Sequence, residues 1–236
     1  MSFVNWIDTG FINWFSLSEN PAAVNLLEEN MENVCWVNFC RNTGVGIDVF
    51  EANIEKIIWR ELSRNSSASA IELLGKNQDK INWNNFSSNQ GPGAIEIIEK
   101  NLDKISWINL SSNPTAIHLL EANFDKIIWI GLSENPAAIH LLEANPEKIV
   151  WDMLSKNPAA IHLLEANLDL IDWYMLSINP EAIHLLEAYP EKIDWYMLSK
   201  NPEAHLLLEA NLDYIDWDNT IWKNPCIFNE EGPGLK

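Results

Sequence analysis

Three things are scarce in this sequence, and each scarcity excludes something. Cysteine occurs only three times, as Cys35, Cys40 and Cys226. An odd count without a paired framework is the pattern of a reducing compartment, not of a disulfide-built secreted domain. Cys35 and Cys40 lack two further ligands at metal spacing, so no zinc site is expected. Long apolar runs are missing as well. The opening Met-Ser-Phe-Val-Asn-Trp-Ile-Asp has no basic stretch and no sustained apolar segment, so neither a signal peptide nor a membrane span is expected. Positive charge is the third scarcity: 15 basic residues face 34 acidic ones, a formal net charge of −19. A field of that sign disfavours nucleic acid and anionic membranes. It favours a protein partner with a basic surface, or it serves only to keep an extended protein soluble.

Tryptophan, by contrast, is abundant, with twelve in 236 residues, and its placement is regular. Trp14, Trp36, Trp59, Trp83, Trp107, Trp129, Trp151, Trp173, Trp195 and Trp217 recur at intervals of 22 to 24 residues. The clearest unit, Asn135 to Lys156, reads NPAAIHLLEANPEKIVWDMLSK, and its successors open at Asn157-Pro158, Asn179-Pro180 and Asn201-Pro202. The longer intervals come from extra residues at Asn42–Gly46, Asn65–Ser69 and Asn89–Gly93, all between a Trp half and the next Leu-Leu-Glu half. Insertions tolerated at one location mark a surface turn.

Each half has its own signal. Asn-Pro is a helix start, because Asn caps free N–H groups and Pro sits where its missing N–H does not matter. At 100° per residue Ala160, Ile161, Leu163 and Leu164 share a face and His162 lies opposite, which predicts an amphipathic helix of about two turns. The second half reads Asn-x-Asp/Glu-Lys-Ile-x-Trp-x-x-Leu-Ser. Trp173 and Leu176 are spaced for a helix, Ile171 and Trp173 for a strand. A short α or 3₁₀ helix starting at Trp173 and capped by Asp172, with Ile171 packing back, is the favoured reading. The alternative is a strand, giving a leucine-rich-repeat-like α/β solenoid.

Helices this short are unstable alone, and one unit cannot bury its own Ile, Leu and Trp. The expected fold is therefore an all-α, right-handed solenoid of about ten 22-residue repeats. At about 10 Å per unit it would extend on the order of 100 Å. Residues 1–228 are expected to form a single solenoid, with an N-terminal cap over 1–11, repeats over 12–217 and a degenerate cap over 218–228, and residues 229–236 to be a flexible tail.

The string NPxAIHLLEANxxKIxWxxLS resembles tandem repeats in uncharacterised proteins of giant nucleocytoplasmic DNA viruses, over about residues 12–217. The resemblance implies a viral protein in the host cytoplasm or in a particle, and it brings no catalytic motif with it.

Four columns are candidates for function. His118, His140, His162 and His184 recur once per unit. A metal ladder is disfavoured, because equivalent positions on stacked helices lie about 8–10 Å apart, whereas zinc ligands must each lie about 2 Å from the ion. Asn25, Asp48, Glu72, Glu96 and Leu206 also occupy this column, as on a solvated face. Glu28, Glu51, Glu99, Glu121, Glu143, Glu165, Glu187 and Glu209, with Gly75 the exception, follow three residues later and can reach His on the same helix. They read as an acidic stripe able to meet a basic surface, or as a solvated face. The tryptophans are expected to pack between units as core. The position after each Trp varies through Arg60, Asn84, Ile108, Ile130, Asp152, Tyr174, Tyr196 and Asp218, which fits either a recognition surface or unconstrained drift. Asparagine opening each half is expected to cap or to form a hydrogen-bonded ladder.

No phosphate-binding Gly loop, Ser/His/Asp set or His-Glu-x-x-His motif occurs. No catalytic residue, metal or cofactor is therefore assigned, and the expected role is a non-catalytic scaffold for protein–protein interaction in the cytoplasm. The binding candidates are His118, His140, His162, His184, Glu121, Glu143, Glu165, Glu187, Tyr174 and Tyr196. A self-assembling virion component, stacking end to end, is the alternative. An enzyme with its site near Asp8, Cys35 or Cys40 is a third.

Overall fold

The computed structural model describes residues 12–215 and Asn224. Among them there is helix and turn but no strand, so the protein is an all-α repeat and the α/β alternative falls away. The chain forms two compact units, Met1–Lys126 and Ile127–Lys236, both built from the same repeating elements. The terminal segments expected to form the N-terminal cap, the degenerate C-terminal cap and the flexible tail lie, apart from Asn224, outside the described residues.

One repeat of the second unit shows how the sequence builds the pattern. Asn157 is extended, and its Oδ1 accepts a hydrogen bond from the Ala159 N–H at 3.0 Å. Pro158 then opens a 3₁₀ turn, Pro158–Ala160, which runs into the α-helix Ile161–Glu165. The expected two-turn α-helix is thus a 3₁₀ turn followed by α. The Ala160 N–H bonds to the Asn157 carbonyl three residues back, and Pro158 has no N–H to give. A second 3₁₀ turn, Leu168–Leu170, leads to a one-turn α-helix, Trp173–Leu176. Between them Ile171 and Asp172 are extended, with ψ of 128° and 100°. Those two residues explain why the Ile-x-Trp spacing reads partly as strand. Asp172 Oδ1 accepts from the Met175 N–H at 2.9 Å, so it caps as expected, and Asp194 does the same for Met197 at 2.8 Å.

Three columns fill the core. Leu154, Leu176 and Leu198 from the Trp half are fully buried, as are Leu142, Leu164 and Leu186 from the Asn-Pro half. Ala138, Ala160 and Ala182, which precede the second set by four residues, are also fully buried. In the first unit Phe39, Phe50 and Phe86 occupy Leu positions. Each buried Leu contributes about 1.5–3 kcal/mol relative to exposure.

The tryptophans pack against the following repeat, as expected, but they are not buried in this core. Trp14, Trp36, Trp59, Trp83, Trp107, Trp129, Trp151, Trp173 and Trp195 are all half-buried. In the regular units each begins a helix of one turn, whose fourth residue is fully buried. Indole is also too large to be buried entirely in most settings. Side chains of the following repeat cover its face instead. Lys56 Nζ lies 5.4 Å from the Trp36 ring centroid and Lys104 Nζ 5.3 Å from that of Trp83. Tyr214 stacks on Trp195 at 4.8 Å.

Within each unit, polar ladders join one repeat to the one before. Asn157 Nδ2 donates to the carbonyls of Ser133 and Asn135 at 3.0 and 3.2 Å. Asn179, Asn201 and Asn224 repeat this pattern in the second unit, and Asn42, Asn65, Asn89 and Asn113 in the first. One amide thus caps its own turn and ties down two carbonyls of its neighbour, in a buried position. The asparagine that opens the second half behaves differently. Asn145 and Asn167 donate back to Leu141 and Leu163 of their own helices, at 2.8 and 2.9 Å, and make no N-cap bond. In the third insertion Gly91 is buried against Ser66, whose backbone carbonyl leaves no room for an added Cβ. Gly93 turns with φ 85°, so a Gly-Pro-Gly path replaces the usual Asn-Pro turn while Asn89 keeps its ladder bonds.

A serine ladder runs beside the asparagines. Ser155 Oγ donates to the Trp151 carbonyl at 2.8 Å and accepts from the Asp172 N–H at 3.0 Å. Ser18, Ser63, Ser87, Ser133 and Ser177 do likewise. In one repeat Cys40 takes the place, its Sγ accepting from the Ile58 N–H at 3.3 Å. Burial pushes this thiol up to about 11, with the Ile58 N–H opposing the rise and Glu61 adding to it. Because the thiolate is the reactive form, Cys40 should resist iodoacetamide at pH 8 in the folded protein and react in urea. Peptide mapping by mass spectrometry would show this. Cys40→Ser should fold normally, whereas Cys40→Ala should cost about 1–2 kcal/mol by orphaning the Ile58 N–H.

Candidate interaction surface

With the ladders holding the backbone, each repeat presents the same positions to solvent. His118, His140, His162 and His184 are exposed, as are Glu121, Glu143, Glu165 and Glu187. The pairing between the columns differs from the one expected within a helix. His118 Nε2 lies 2.8 Å from Glu99 Oε1, His162 2.8 Å from Glu143 and His184 2.9 Å from Glu165, each reaching the repeat before its own. Spacing of three makes an intrahelical pair possible, but stacking brings the preceding repeat's carboxylate closer. In the first unit Lys76 plays the same bridging part, 2.8 Å from Glu51 of the previous repeat and 2.9 Å from Glu72 of its own. The Glu51 carboxylate first, then Glu72, raises the Lys76 ammonium above the ordinary lysine value. The His–Glu pairs are about half exposed, at 54% and 48% for His162 and Glu143, so each contributes about 0–1 kcal/mol.

A second acidic column lies within the Asn-x-Asp/Glu-Lys text. Asp79, Asp125, Glu147, Asp169, Glu191 and Asp213 each sit in the first turn of the 3₁₀ segment that opens the second half, all exposed. The period alone is enough to find it, because the position is acidic in one repeat after another.

The position after each tryptophan is the distinctive surface. Tyr174 and Tyr196 are 47% and 46% exposed, and Ile130 and Ile108 are 44% and 49% exposed. Each is the second residue of a one-turn helix whose fourth residue is buried, so its side chain is held at a fixed place while facing out. In the second unit the order is Ile130, Asp152, Tyr174, Tyr196; the helices Trp129–Ser133 and Trp151–Ser155 pack together, as do Trp151–Ser155 and Trp173–Leu176. Lys200 Nζ sits 3.9 Å from the Tyr196 ring centroid. Tyr174 has Ile178 at the equivalent place.

The next position inward is structural. Asn38 and Asn85 donate from Nδ2 to the carbonyls of Phe15 and Arg60 in the preceding repeat, at 2.7 and 3.0 Å. Glu61 occupies this position between them. It is 7% exposed and held by Arg41 at 2.6 Å, with Arg64 at 3.8 Å. Its carboxylate is committed to these guanidinium groups. Cys35 and Cys40 are free thiols with no disulfide between them. Among the described residues no group of three or more His, Cys, Asp or Glu is placed to hold a metal ion, and no helix is long and apolar enough to cross a membrane. Asp8 lies outside the described residues. The chain matches no protein-family model, no curated protein and no solved structure.

Proposed function

We propose that this chain is a non-catalytic repeat scaffold for protein–protein interaction, of viral origin and acting on host or viral proteins in the cytoplasm. One observation supports the interaction role above the rest. Ile130, Tyr174 and Tyr196 stand exposed in one column while the residues around them, Asn, Ser and Leu, repeat unchanged and are buried. Tyr in particular supplies large contact area at little conformational cost, which is why it is enriched where proteins bind. The viral origin is supported by the repeat text alone.

The test is affinity capture from the cytosol of transfected cells, comparing the natural chain with an Ile130→Lys, Tyr174→Ser, Tyr196→Ser triple variant. A specific protein enriched by the first and reduced at least tenfold with the second is the expected result. Recovery of nothing above background, or equal recovery by both, overturns the reading. Circular dichroism of the variant should match the natural chain, because all three side chains face solvent.

A further inference from the structure

Resting on that reading, we propose that the partner engages the second unit through an extended basic segment whose lysine or arginine lodges between Asp152 and the ring of Tyr174. The adjacent repeat supplies the precedent. There Lys200 Nζ lies 3.9 Å from the Tyr196 centroid, so the exposed tyrosine face of this column already holds an ammonium group. One repeat earlier the same face has no such cation: the residue in the Lys200 position is Ile178. Asp152 stands in the same column one repeat further back, exposed. The lysine four residues after it, Lys156, is turned away to Glu134 of the preceding repeat. A carboxylate and an aromatic face on neighbouring helices therefore present acceptors for one cation, with Ile130 offering an apolar contact on one side and Tyr196 on the other.

Charge complementarity selects the partner. With 34 acidic residues against 15 basic ones, the chain attracts a basic segment over distance, and the column then reads it at close range. Spacing selects the conformation. Stacked helices repeat at about 8–10 Å. A polyproline-type strand turns once every three residues and rises about 9 Å per turn, so it presents one side chain per protein repeat. An α-helix returns a side chain to the same face only every two turns, about 10.8 Å, beyond the upper end of that spacing.

The probe is a fluorescein-labelled peptide of four Pro-Pro-Lys triplets, titrated with the full chain by fluorescence anisotropy at about 0.15 M salt, where exposed long-range attraction is largely screened. Asp152→Asn and Tyr174→Ala should each weaken binding about fivefold to tenfold. Lys200→Ala vacates the second ring and should tighten binding about threefold, a gain that misfolding cannot imitate. A peptide with the same number of lysines alternating with single prolines should bind about tenfold more weakly. Equal binding of the two peptides, or affinities unmoved by Asp152→Asn and Tyr174→Ala, would show general attraction to an acidic protein and overturn the proposal. The scaffold reading is judged separately. A captured partner that depends on Ile130, Tyr174 and Tyr196 but is not displaced by the triplet peptide would leave the scaffold standing and remove the basic segment.

Discussion

Asn157→Ala is expected to lower the unfolding free energy by about 2–4 kcal/mol, a large share of the total for a domain of this size. The side chain donates to two carbonyls, of Ser133 and Asn135, and accepts from the Ala159 N–H. Ser133, Asn135 and Asn157 are all fully buried, so alanine orphans the Ser133 carbonyl where water does not reach it; the Ala159 N–H loses its cap, and the Asn135 carbonyl keeps its bond from the Ala138 N–H. Each unsatisfied buried group costs about 1–3 kcal/mol. Urea unfolding followed by tryptophan fluorescence measures the loss. Asn145→Ala is the control, since its bond to Leu141 lies within one helix at a half-buried site, and it should cost about 1 kcal/mol. Equal losses for the two would mean that the cross-repeat ladder adds nothing. Asn157→Asp adds a pH signature. A carboxylate there cannot donate, and it faces two carbonyl oxygens, so its folded pKa must rise above the unfolded value of about 3.9. A group raised on folding contributes stability below the unfolded pKa and loses it as pH rises through the folded one. The Asn157→Asp variant should therefore be closest to the natural protein near pH 4 and weakest near pH 7.

Leu164→Ala is expected to cost about 2–5 kcal/mol, by lost burial and by the cavity left behind. Leu164 is fully buried in the second unit, below Ala160 on the same face. In a repeat protein each unit touches only its neighbours, so the damage should stay local. Hydrogen exchange should show protection lost first in the repeats around 157–179 and retained in the first unit. Leu206→Ala is the matched control: this leucine occupies the histidine column, is 65% exposed, and its loss should change stability by less than about 0.5 kcal/mol. A variant at Leu164 that unfolds both units together would contradict the nearest-neighbour account.

Much of this architecture is legible in the sequence, for a physical reason. Anything decided within a few residues can be read directly: the period, the Asn-Pro start, the Asp172 cap and the outward face of His162. What depends on how one repeat sits on the next cannot. Local spacing permits His162 to pair with Glu165 of its own helix, whereas stacking gives it Glu143. The size of tryptophan and its Ile and Leu neighbours point to the core, but its place at the start of a one-turn helix leaves it at the rim. Ser155 carries no local signal of its role, although a serine recurs four residues after nearly every repeat tryptophan and Cys40 is the informative exception. That role requires the N–H of Asp172 from the following repeat, which lies far away in sequence. The exposed column of Tyr174 and Tyr196 is visible as variation beside a constant frame. The Lys200 ammonium over Tyr196 is not, because a spacing of four allows that contact without requiring it.

The ladders also bear on what happens when the protein is stretched. Within each unit, one repeat is fastened to the next by a small, repeated set of side-chain links: an asparagine amide on two carbonyls and a serine hydroxyl on one N–H. Such links act in series. Tension on the ends of a unit loads every interface equally, and the weakest yields first without dragging down the others. Each released repeat of 22 residues would add about 70–80 Å of slack chain, since an extended residue spans about 3.3–3.6 Å. The molecule would then lengthen in even steps, returning a near-constant resisting force over a long travel, as a spring with clasps along its length does.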